Sequence, residues 1–418
     1  MIKVKNDKLD RTLIPAGAGI SKRAVLSKLE QPDRCKQSPI ALWSYRLIFY
    51  GILSFGLLVV GCGTQDLDPN ATDSAEEKLD ESLTFNDITL EQVNDRGEKV
   101  WTVRSPVARY VNEQKIVRVD LPEGELFQDG KLLYRISANK GEVHQNGEKI
   151  LLQENIVATD PESGAVLTGE ELEWFPKQDL LVVRDRLTGN HPQIEISADE
   201  GRVQTKTNHI ELLGNVVATT KDPVLQLRSE HLVWQIDQKL VASDRTVEID
   251  RYPCNSASDC PPVDQSTSDR GEYNLETKSA RLQNNVQLSL SQPPVNIQSD
   301  LLVWSLTAET VTSEQPLTAL HREKQFTLTG DSGVLDLPTE LFTITGNVRA
   351  VGSDQRPFNL QADRMNWEIP LAEITAQGNV IYRQANPPLT LTGPKAVGQL
   401  TDQIVVITGG NVVTEVVP

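Results

Sequence analysis

The chain has 418 residues, a formal net charge of −17 and 24% charged residues. An acidic chain is repelled by phosphate backbones and by anionic lipid surfaces, which argues against nucleic acid and acidic membranes as partners. The five histidines are scattered without metal-ligand spacing, and the sequence shows no glycine-rich phosphate loop, serine elbow or Cys/His pairing. The composition therefore predicts a protein that is not an enzyme and that uses no cofactor and no metal.

Residues 1–61 are predicted to be a signal or membrane-targeting segment. They hold ten Lys/Arg against four Asp/Glu and end in an uncharged apolar run from Leu47 to Val60. A run of about 14 residues is shorter than the about 20 that span a bilayer and fits the core of a signal peptide. The sequence Val59-Val60-Gly61-Cys62 follows and resembles the lipobox of bacterial lipoproteins, which implies lipidation of Cys62. The alternative is an uncleaved N-terminal membrane anchor.

Residues 62–82 are predicted to be a flexible tether, because the stretch from Gly63 to Glu81 holds hardly any large apolar residue. From residue 83 onward, β-branched residues and leucines alternate with Thr, Gln, Glu and Arg. Helical spacing of apolar residues is absent after residue 100. The alternation predicts an all-β fold for the ordered region.

A short phrase recurs ten times along this region. Four copies follow the pattern [Gly/Ser/Ala]-[Glu/Asp]-x-[Leu/Met]-x-Trp and end at Trp174, Trp234, Trp304 and Trp367. The second residues of the ten phrases are 106, 139, 170, 199, 230, 269, 300, 331, 363 and 394. A fixed period near 31 residues indicates one supersecondary unit stacked many times, which favours an extended surface over an enzyme pocket. We interpret the tryptophans as core anchors of the repeat.

The acids of these phrases are interpreted as turn residues. They are Glu170, Asp199, Glu230, Asp269, Asp300, Asp331 and Asp363. Their sequence context lacks the Gly-Gly-x-Gly-x-Asp density of calcium-binding β-rolls. Asp and Asn side chains often bond local backbone N–H groups in turns, so a turn role is expected here.

A second element, apolar-x-apolar-x-Gly-Asn-Val, recurs between the phrases at 210–218, 342–350 and 374–382. Gly-Asn normally indicates a two-residue hairpin turn. Here the apolar alternation continues unbroken across it, so we predict a bend or bulge inside a long strand. The inward phase gives a candidate apolar groove, consisting of Ile210, Leu212, Val216, Phe342, Ile344, Val348 and Ile374. Glu211, Thr343 and Thr375 lie one residue out of phase.

The one long interval between phrases contains Cys254 and Cys260, and it predicts an inserted loop over residues 251–268. Insertions in a stacked array go to loops, because an extra residue inside a strand would turn its apolar set to the wrong face. In an exported chain, two cysteines six residues apart favour a disulfide. A metal site would need about four ligands.

These features resemble the periplasmic lipopolysaccharide-transport proteins of the LptC, LptA and OstA type. The segment Asp129-Gly-Lys-Leu-Leu-Tyr-Arg-Ile-Ser-Ala138 is similar to the Gly-Lys-x-x-Tyr-Arg-x-x-Ala opening of the LptC module. The resemblance covers roughly residues 85–415. It implies an open-ended antiparallel β-jellyroll, or slab, of the OstA-like type, with an LptC-like module at 83–250 and a second module at 269–418. A β-solenoid is the alternative fold.

The resemblance also implies a function. The chain would bind lipopolysaccharide acyl chains in an apolar β-groove and pass them from an inner-membrane ABC transporter across the periplasm toward the outer membrane. Other β-jellyroll bridge proteins would join it by edge-strand addition, and the chain would sit at the periplasmic face, anchored to the inner membrane. The greater length than a usual LptC leaves an LptC–LptA fusion open. The alternative function is a lipid-anchored structural or polysaccharide-binding β-solenoid without a transport role.

Overall fold

The computed structural model describes residues 2–6, 83–111, 115–144, 147–352, 357–401, 404–409 and 413–416. Within these ranges the chain is built from β-strands, with a single-turn 3-10 helix at Pro176–Gln178. The predicted all-β class is confirmed. Cys62 and the predicted tether at 62–82 lie outside the described residues.

The strands follow one another along the chain. In order they are β1 (Ile2–Asn6), β2 (Leu83–Val93), β3 (Lys99–Val111), β4 (Ile116–Asp120), β5 (Glu123–Gln128), β6 (Lys131–Ser137), β7 (Lys140–His144), β8 (Ile150–Thr159), β9 (Val166–Phe175), β10 (Leu180–Asn190), β11 (Ile194–Gln204), β12 (His209–Thr220), β13 (Leu225–Gln235), β14 (Leu240–Ser243), β15 (Val247–Arg251), β16 (Asp264–Ser268), β17 (Arg270–Asn274), β18 (Ser279–Ser289), β19 (Val295–Ser305), β20 (Thr310–Ser313), β21 (Leu317–His321), β22 (Phe326–Gly330), β23 (Ser332–Asp336), β24 (Leu341–Gly352), β25 (Phe358–Glu368), β26 (Glu373–Gln384), β27 (Leu389–Gln399), β28 (Ile404–Thr408) and β29 (Val413–Val416).

The strands form one continuous antiparallel sheet, in which long strands such as β8 to β13 pair with their neighbours in sequence. Where a strand is split into two halves, each half keeps its own partner: residues 233–235 of β13 pair with β14, and residues 225–228 of β13 pair with β15. All pairings among the described strands are antiparallel, as in a jellyroll slab. The coils of a β-solenoid pair in parallel from one turn to the next, so that alternative does not fit these strands. β1, which lies inside the predicted targeting segment, pairs with the outer edge of β2.

A bulge interrupts most long strands near their middle. The pairing register shifts between Leu213 and Val216, and again between Thr345 and Val348. The Gly-Asn residues inside these shifts have positive φ, for example 80° at Gly346 and 46° at Asn347. The predicted bulge within a long strand is therefore confirmed. Because the interruption recurs on successive strands, the sheet folds along this line, and the two halves of each strand face each other as two layers.

Ring contacts between unpaired strands confirm that the halves face each other. The ring of Phe326 in β22 lies 5.0 Å from that of Trp367 in β25, although these two strand segments are not hydrogen-bonded neighbours. We call layer A the layer that holds Trp174, Trp234, Trp304 and Trp367, and layer B the layer that faces it. Apolar side chains at alternate positions of both layers form one buried core between them.

The repeated acids lie along the fold line, and in four of them a bond to another strand takes the place of the predicted bond to local backbone. Four of them accept a hydrogen bond from the asparagine amide of the next bulge: Asp199 from Asn215 at 2.8 Å, Asp269 from Asn285 at 2.6 Å, Asp331 from Asn347 at 2.7 Å and Asp363 from Asn379 at 2.9 Å. Each pair is 16 residues apart and joins neighbouring strands. Side-chain bonds within a turn join residues only a few positions apart, so they do not explain a spacing of 16 residues. The spacing is set by the length of chain between neighbouring strands at the fold line.

The inserted loop lies between β15 and β16. It occupies residues 252–263, which is shorter than the predicted 251–268, because Asp264–Ser268 forms a strand in register with β15. The sheet continues past the loop through the pairing of β14 with β17. All described strands belong to one compact unit, so the predicted modules at 83–250 and 269–418 share one sheet.

The bulge geometry predicts the effect of a methyl group at Gly346. Its φ is +80°, and an added Cβ would lie 2.5 Å from a carboxylate oxygen of Asp331. Gly346→Ala should lower the free energy of unfolding by about 2 kcal/mol, because it strains the backbone and displaces the carboxylate from Asn347. Gly130→Ala is the matched control, since Gly130 has φ +79° with open space around the added methyl. Urea unfolding measures both; equal losses would show that the acid–asparagine pair contributes nothing.

Candidate functional site

One row of side chains crosses layer A from strand to strand. The row consists of Ile150, Trp174, Leu181, Val203, Ile210, Trp234, Val241, Tyr273, Ala280, Trp304, Val311, Leu335, Phe342, Trp367, Ile374, Gly398 and Val405, each paired with the next. At about 4.8 Å per strand the row is roughly 75 Å long. We call it the tryptophan row. It provides a continuous, almost wholly apolar surface along the interior of layer A.

The four motif tryptophans are buried in this row, as expected of core anchors. Trp304 and Trp367 are 0% exposed, and Trp174 and Trp234 are 4% and 5% exposed. Each lies near the end of a half-strand, next to the hairpin turn that joins it to the following strand of layer A.

The structure also places the predicted groove residues in the interior. Leu212, Val216, Phe342, Ile344, Val348 and Ile374 are at most 1% exposed, and Ile210 packs half-buried against the core. Glu211, Thr343 and Thr375 are half-buried. Other core side chains cover the groove residues almost completely, so the space between the layers is filled where they lie. Acyl chains could enter there only if the two layers moved apart.

An apolar cavity of about 350 Å³ opens between the layers near the C-terminal end. Ile374 and Val405 of the tryptophan row line it from layer A. Phe326, Phe358 and Tyr382 line it from layer B, with neighbouring ring centroids 6.2 Å and 5.9 Å apart. Among the predicted groove residues, Ile374 is the one that reaches this cavity.

Sequence reasoning missed the aromatic wall of the cavity. Phe326 and Phe358 both pair with Gly352, and this glycine leaves room for the rings: a Cβ there would lie 2.3 Å from the Phe358 ring. The residue that could have indicated this wall is Gly352, which lies between the two phenylalanines at the same level of the sheet. It could be recognised only once the pairing register was known.

The turns of the two layers meet along one long side of the slab, which we call the mouth. Lys278 of a layer A turn forms an ion pair with Asp222 of a layer B turn, with Nζ 2.8 Å from Oδ2. Further along, the Lys324 Nζ donates to the carbonyl oxygen of Ile369 at 3.4 Å. The carboxylate of Asp222 is 85% exposed, and exposed ion pairs stabilise a fold by at most about 1 kcal/mol. The contacts between the two layers at the mouth are therefore individually weak.

Two histidines of layer B pack on tryptophans of layer A at the mouth. The rings of His191 and Trp234 are 5.1 Å apart, and those of His321 and Trp367 are 5.5 Å apart. The Lys324 backbone N–H donates to Nδ1 of His321 at 3.2 Å, which requires that nitrogen to be unprotonated. Burial lowers the pKa of both histidines, and Lys324 lowers that of His321 further. Both contacts are therefore made by neutral imidazole near neutral pH.

The cysteine pair lies in the inserted loop, next to the layer B turns of the mouth. Its sulfur atoms are joined in a disulfide, with Cα atoms 6.2 Å apart. Across the described ranges, no helix is long and apolar enough to cross a membrane. In the same ranges, no cluster of His, Cys, Asp or Glu is arranged to hold a metal ion.

The fold and this interior define a class: an open-ended antiparallel β-jellyroll slab with a long apolar surface between its layers. A sequence profile of the LptC-related lipopolysaccharide-assembly family matches residues 51–182 and 165–259, which together span half of the chain. The chain belongs to this family, and the predicted resemblance is confirmed.

Among the solved structures that are similar to this chain is LptH, the LptA homologous periplasmic component of the conserved lipopolysaccharide transport device from Pseudomonas aeruginosa. The similarity has 16% identity and a TM-score of 0.27, and it covers 30% of this chain and 96% of LptH. No curated protein sequence matches the chain.

The buried histidines predict that the fold weakens in mild acid. The unfolded chain gains a proton on histidine as the pH falls through about 6.5, whereas the folded chain does so only at lower pH. The free energy of unfolding should therefore fall as the pH drops below about 6.5. His321→Gln keeps an acceptor for the Lys324 N–H and should flatten this decline in urea titrations between about pH 7 and pH 5. His209→Gln, whose ring lies on the outer face of layer A beside Arg202 and Glu211, is the control; an unchanged slope in His321→Gln would contradict the assignment.

Proposed function

We propose that the chain binds the acyl chains of lipopolysaccharide or a related glycolipid between its two layers. It passes them along the tryptophan row, from an inner-membrane ABC transporter complex toward the outer membrane. Membership in the lipopolysaccharide-assembly family supports the ligand class. The observation that carries the proposal is the row itself, which runs through the interior and reaches an apolar cavity at the C-terminal end. The protein acts as a carrier and not as an enzyme.

The energetics of an apolar interior suit a carrier. Each CH₂ group that leaves water contributes about 0.8 kcal/mol, so a few acyl chains bind firmly without any specific contact. Hydrophobic burial is also non-directional, so a chain can slide along the row without breaking a fixed set of bonds. The filled interior sets the condition for entry: the layers separate at the mouth, where the contacts are weakest.

The two ends of the sheet provide the sites for partners. An unpaired strand edge can accept a strand from a neighbouring protein, and other β-jellyroll bridge proteins would dock in this way. At the N-terminal end, residues 2–6 occupy the edge of β2 along Ile88–Gln92. Processing before Cys62 would remove them and leave that edge free. We propose that the mature chain begins at a lipidated Cys62 and stays at the periplasmic face of the inner membrane.

Lipidation is tested at Cys62 itself. Cys62→Ala should abolish incorporation of labelled fatty acid, because the thiol that forms the thioether to the lipid would be lost. Labelled palmitate and mass spectrometry of the mature N-terminus measure this. Cys254→Ser with Cys260→Ser is the control, since these cysteines lie in the loop and should not affect labelling. Persistent labelling of Cys62→Ala, or a mature chain that retains residue 61, would contradict the proposal.

Photo-crosslinking tests the path of the acyl chains. A photoreactive phenylalanine in place of Leu212, Phe342 or Phe358 should capture lipopolysaccharide in cells, because these side chains lie between the layers. The same residue at Glu211 or Thr343, one position out of phase, should capture little. Circular dichroism checks that each variant is folded. Equal capture in both phases would defeat the face assignment, and no lipid adduct in a folded protein would favour a purely structural role.

A further inference from the structure

Five hydrogen-bond donors in the tryptophan row have no partner in the protein. The indole nitrogens of Trp174, Trp234, Trp304 and Trp367 are buried, and none makes a hydrogen bond. The hydroxyl of Tyr273, in the same row, is likewise buried without a partner. Burial raises the pKa of this phenol, so the group keeps its proton. Buried polar groups in folded proteins are nearly always hydrogen-bonded, so a repeated exception calls for a reason.

Trp101 shows what a satisfied tryptophan looks like in this protein. It is 0% exposed and lies outside the tryptophan row, where its indole nitrogen donates to the Gln92 side-chain oxygen at 2.6 Å. A glutamine next to a tryptophan is therefore enough to supply an acceptor. No such acceptor accompanies the four tryptophans of the row.

Packing alone does not require indole at these positions. Equivalent positions of the same row carry Leu335 and Phe342, which fill the interior without any polar atom. An unpaired buried donor destabilises the fold relative to an apolar side chain of similar size. The recurrence of tryptophan on four different strands therefore points to a use for the N–H group.

The donors recur at short intervals along the row, and two of them lie beside a cavity. Between Trp174 and Trp367, successive donors are two or four strands apart, or roughly 10 or 19 Å at about 4.8 Å per strand. Trp304 also lines a cavity of about 660 Å³ at the mouth, together with Lys278 and Gln292. Trp367 pairs with Ile374, which lines the C-terminal cavity.

We propose that these indole N–H groups, with the Tyr273 hydroxyl, form a track of donors for the carbonyl oxygens of ester- and amide-linked acyl chains. The inference rests on the proposed function and specifies its ligand: a carbonyl-bearing acylated lipid rather than hydrocarbon in general. Neutral carbonyl oxygens fit the site, because a phosphate or carboxylate buried among apolar side chains without a counter-ion would be strongly disfavoured. As a chain moves along the row, its carbonyl passes from one donor to the next.

The test replaces one atom. At Trp367 or Trp304 of the full chain, β-(3-benzothienyl)alanine replaces tryptophan, so that sulfur stands in place of the N–H and the ring keeps its shape. The chain is offered an equimolar mixture of dimyristoyl phosphatidylcholine and its di-O-tetradecyl ether analogue, which differ in their carbonyl oxygens. Native mass spectrometry counts the bound lipid of each kind. The same replacement at Trp101 is the matched control, because its N–H is already bonded within the protein.

The wild-type chain should favour the ester lipid by about 3- to 10-fold, the range that one neutral hydrogen bond supplies. The replacement at Trp367 or Trp304 should reduce this ratio, and the replacement at Trp101 should leave it unchanged. A wild-type ratio near one, or an unchanged ratio in both row variants, would overturn the donor track while leaving the carrier function intact. Binding of neither lipid would overturn the proposed function itself.

Discussion

The bend of each long strand at its central bulge is the constraint on which the rest of the structure depends. Two consecutive residues with positive φ, Gly346 and Asn347 in one copy, turn the strand without ending it. The asparagine amide then bonds the acid of the preceding strand, and the bond between Asn347 and Asp331 is repeated in three further copies. Because the bulges recur on successive strands and four of them are tied to the neighbouring strand, the sheet folds at the same level of each strand, and one meander becomes two layers with a shared apolar interior.

The two long sides of this slab differ in how they connect the two layers. At the fold line, the covalent chain itself passes from layer to layer on most strands. At the mouth, the described residues connect the layers through side-chain contacts, among them the exposed Lys278–Asp222 ion pair and the ring contact between His321 and Trp367. A lipid that enters from the side must therefore enter at the mouth. The buried donors Trp304 and Trp367 lie directly inside this entrance, so the same edge that opens also presents the groups that would meet a carbonyl oxygen.

Much of this architecture could be predicted from the sequence, because it depends on the two-residue alternation of apolar side chains and on short motifs that recur at a fixed spacing. The alternation around Leu212 and Ile344 gave the buried phase, and the unbroken phase across Gly-Asn gave the bulge. The acids were assigned to turns because the partner of Asp331 lies 16 residues away on another strand, beyond local rules. The aromatic wall of the cavity was missed because Phe326 and Phe358 meet only through the register that pairs both with Gly352. The unpartnered indole groups depend on three-dimensional burial, which no sequence pattern reports.

The central claim is that acyl chains lie between the layers and enter through the mouth. Spin labels at Lys221 in layer B and Glu276 in layer A, on the two sides of the Lys278–Asp222 ion pair, would report the width of the mouth by pulsed electron paramagnetic resonance. With lipopolysaccharide bound to the full chain, the distance distribution should shift to longer values, and a pair at Glu195 and Gln287, five strands apart within layer B, should not change. An unshifted distribution at the mouth, in a sample in which mass spectrometry counts bound lipid, would contradict the account.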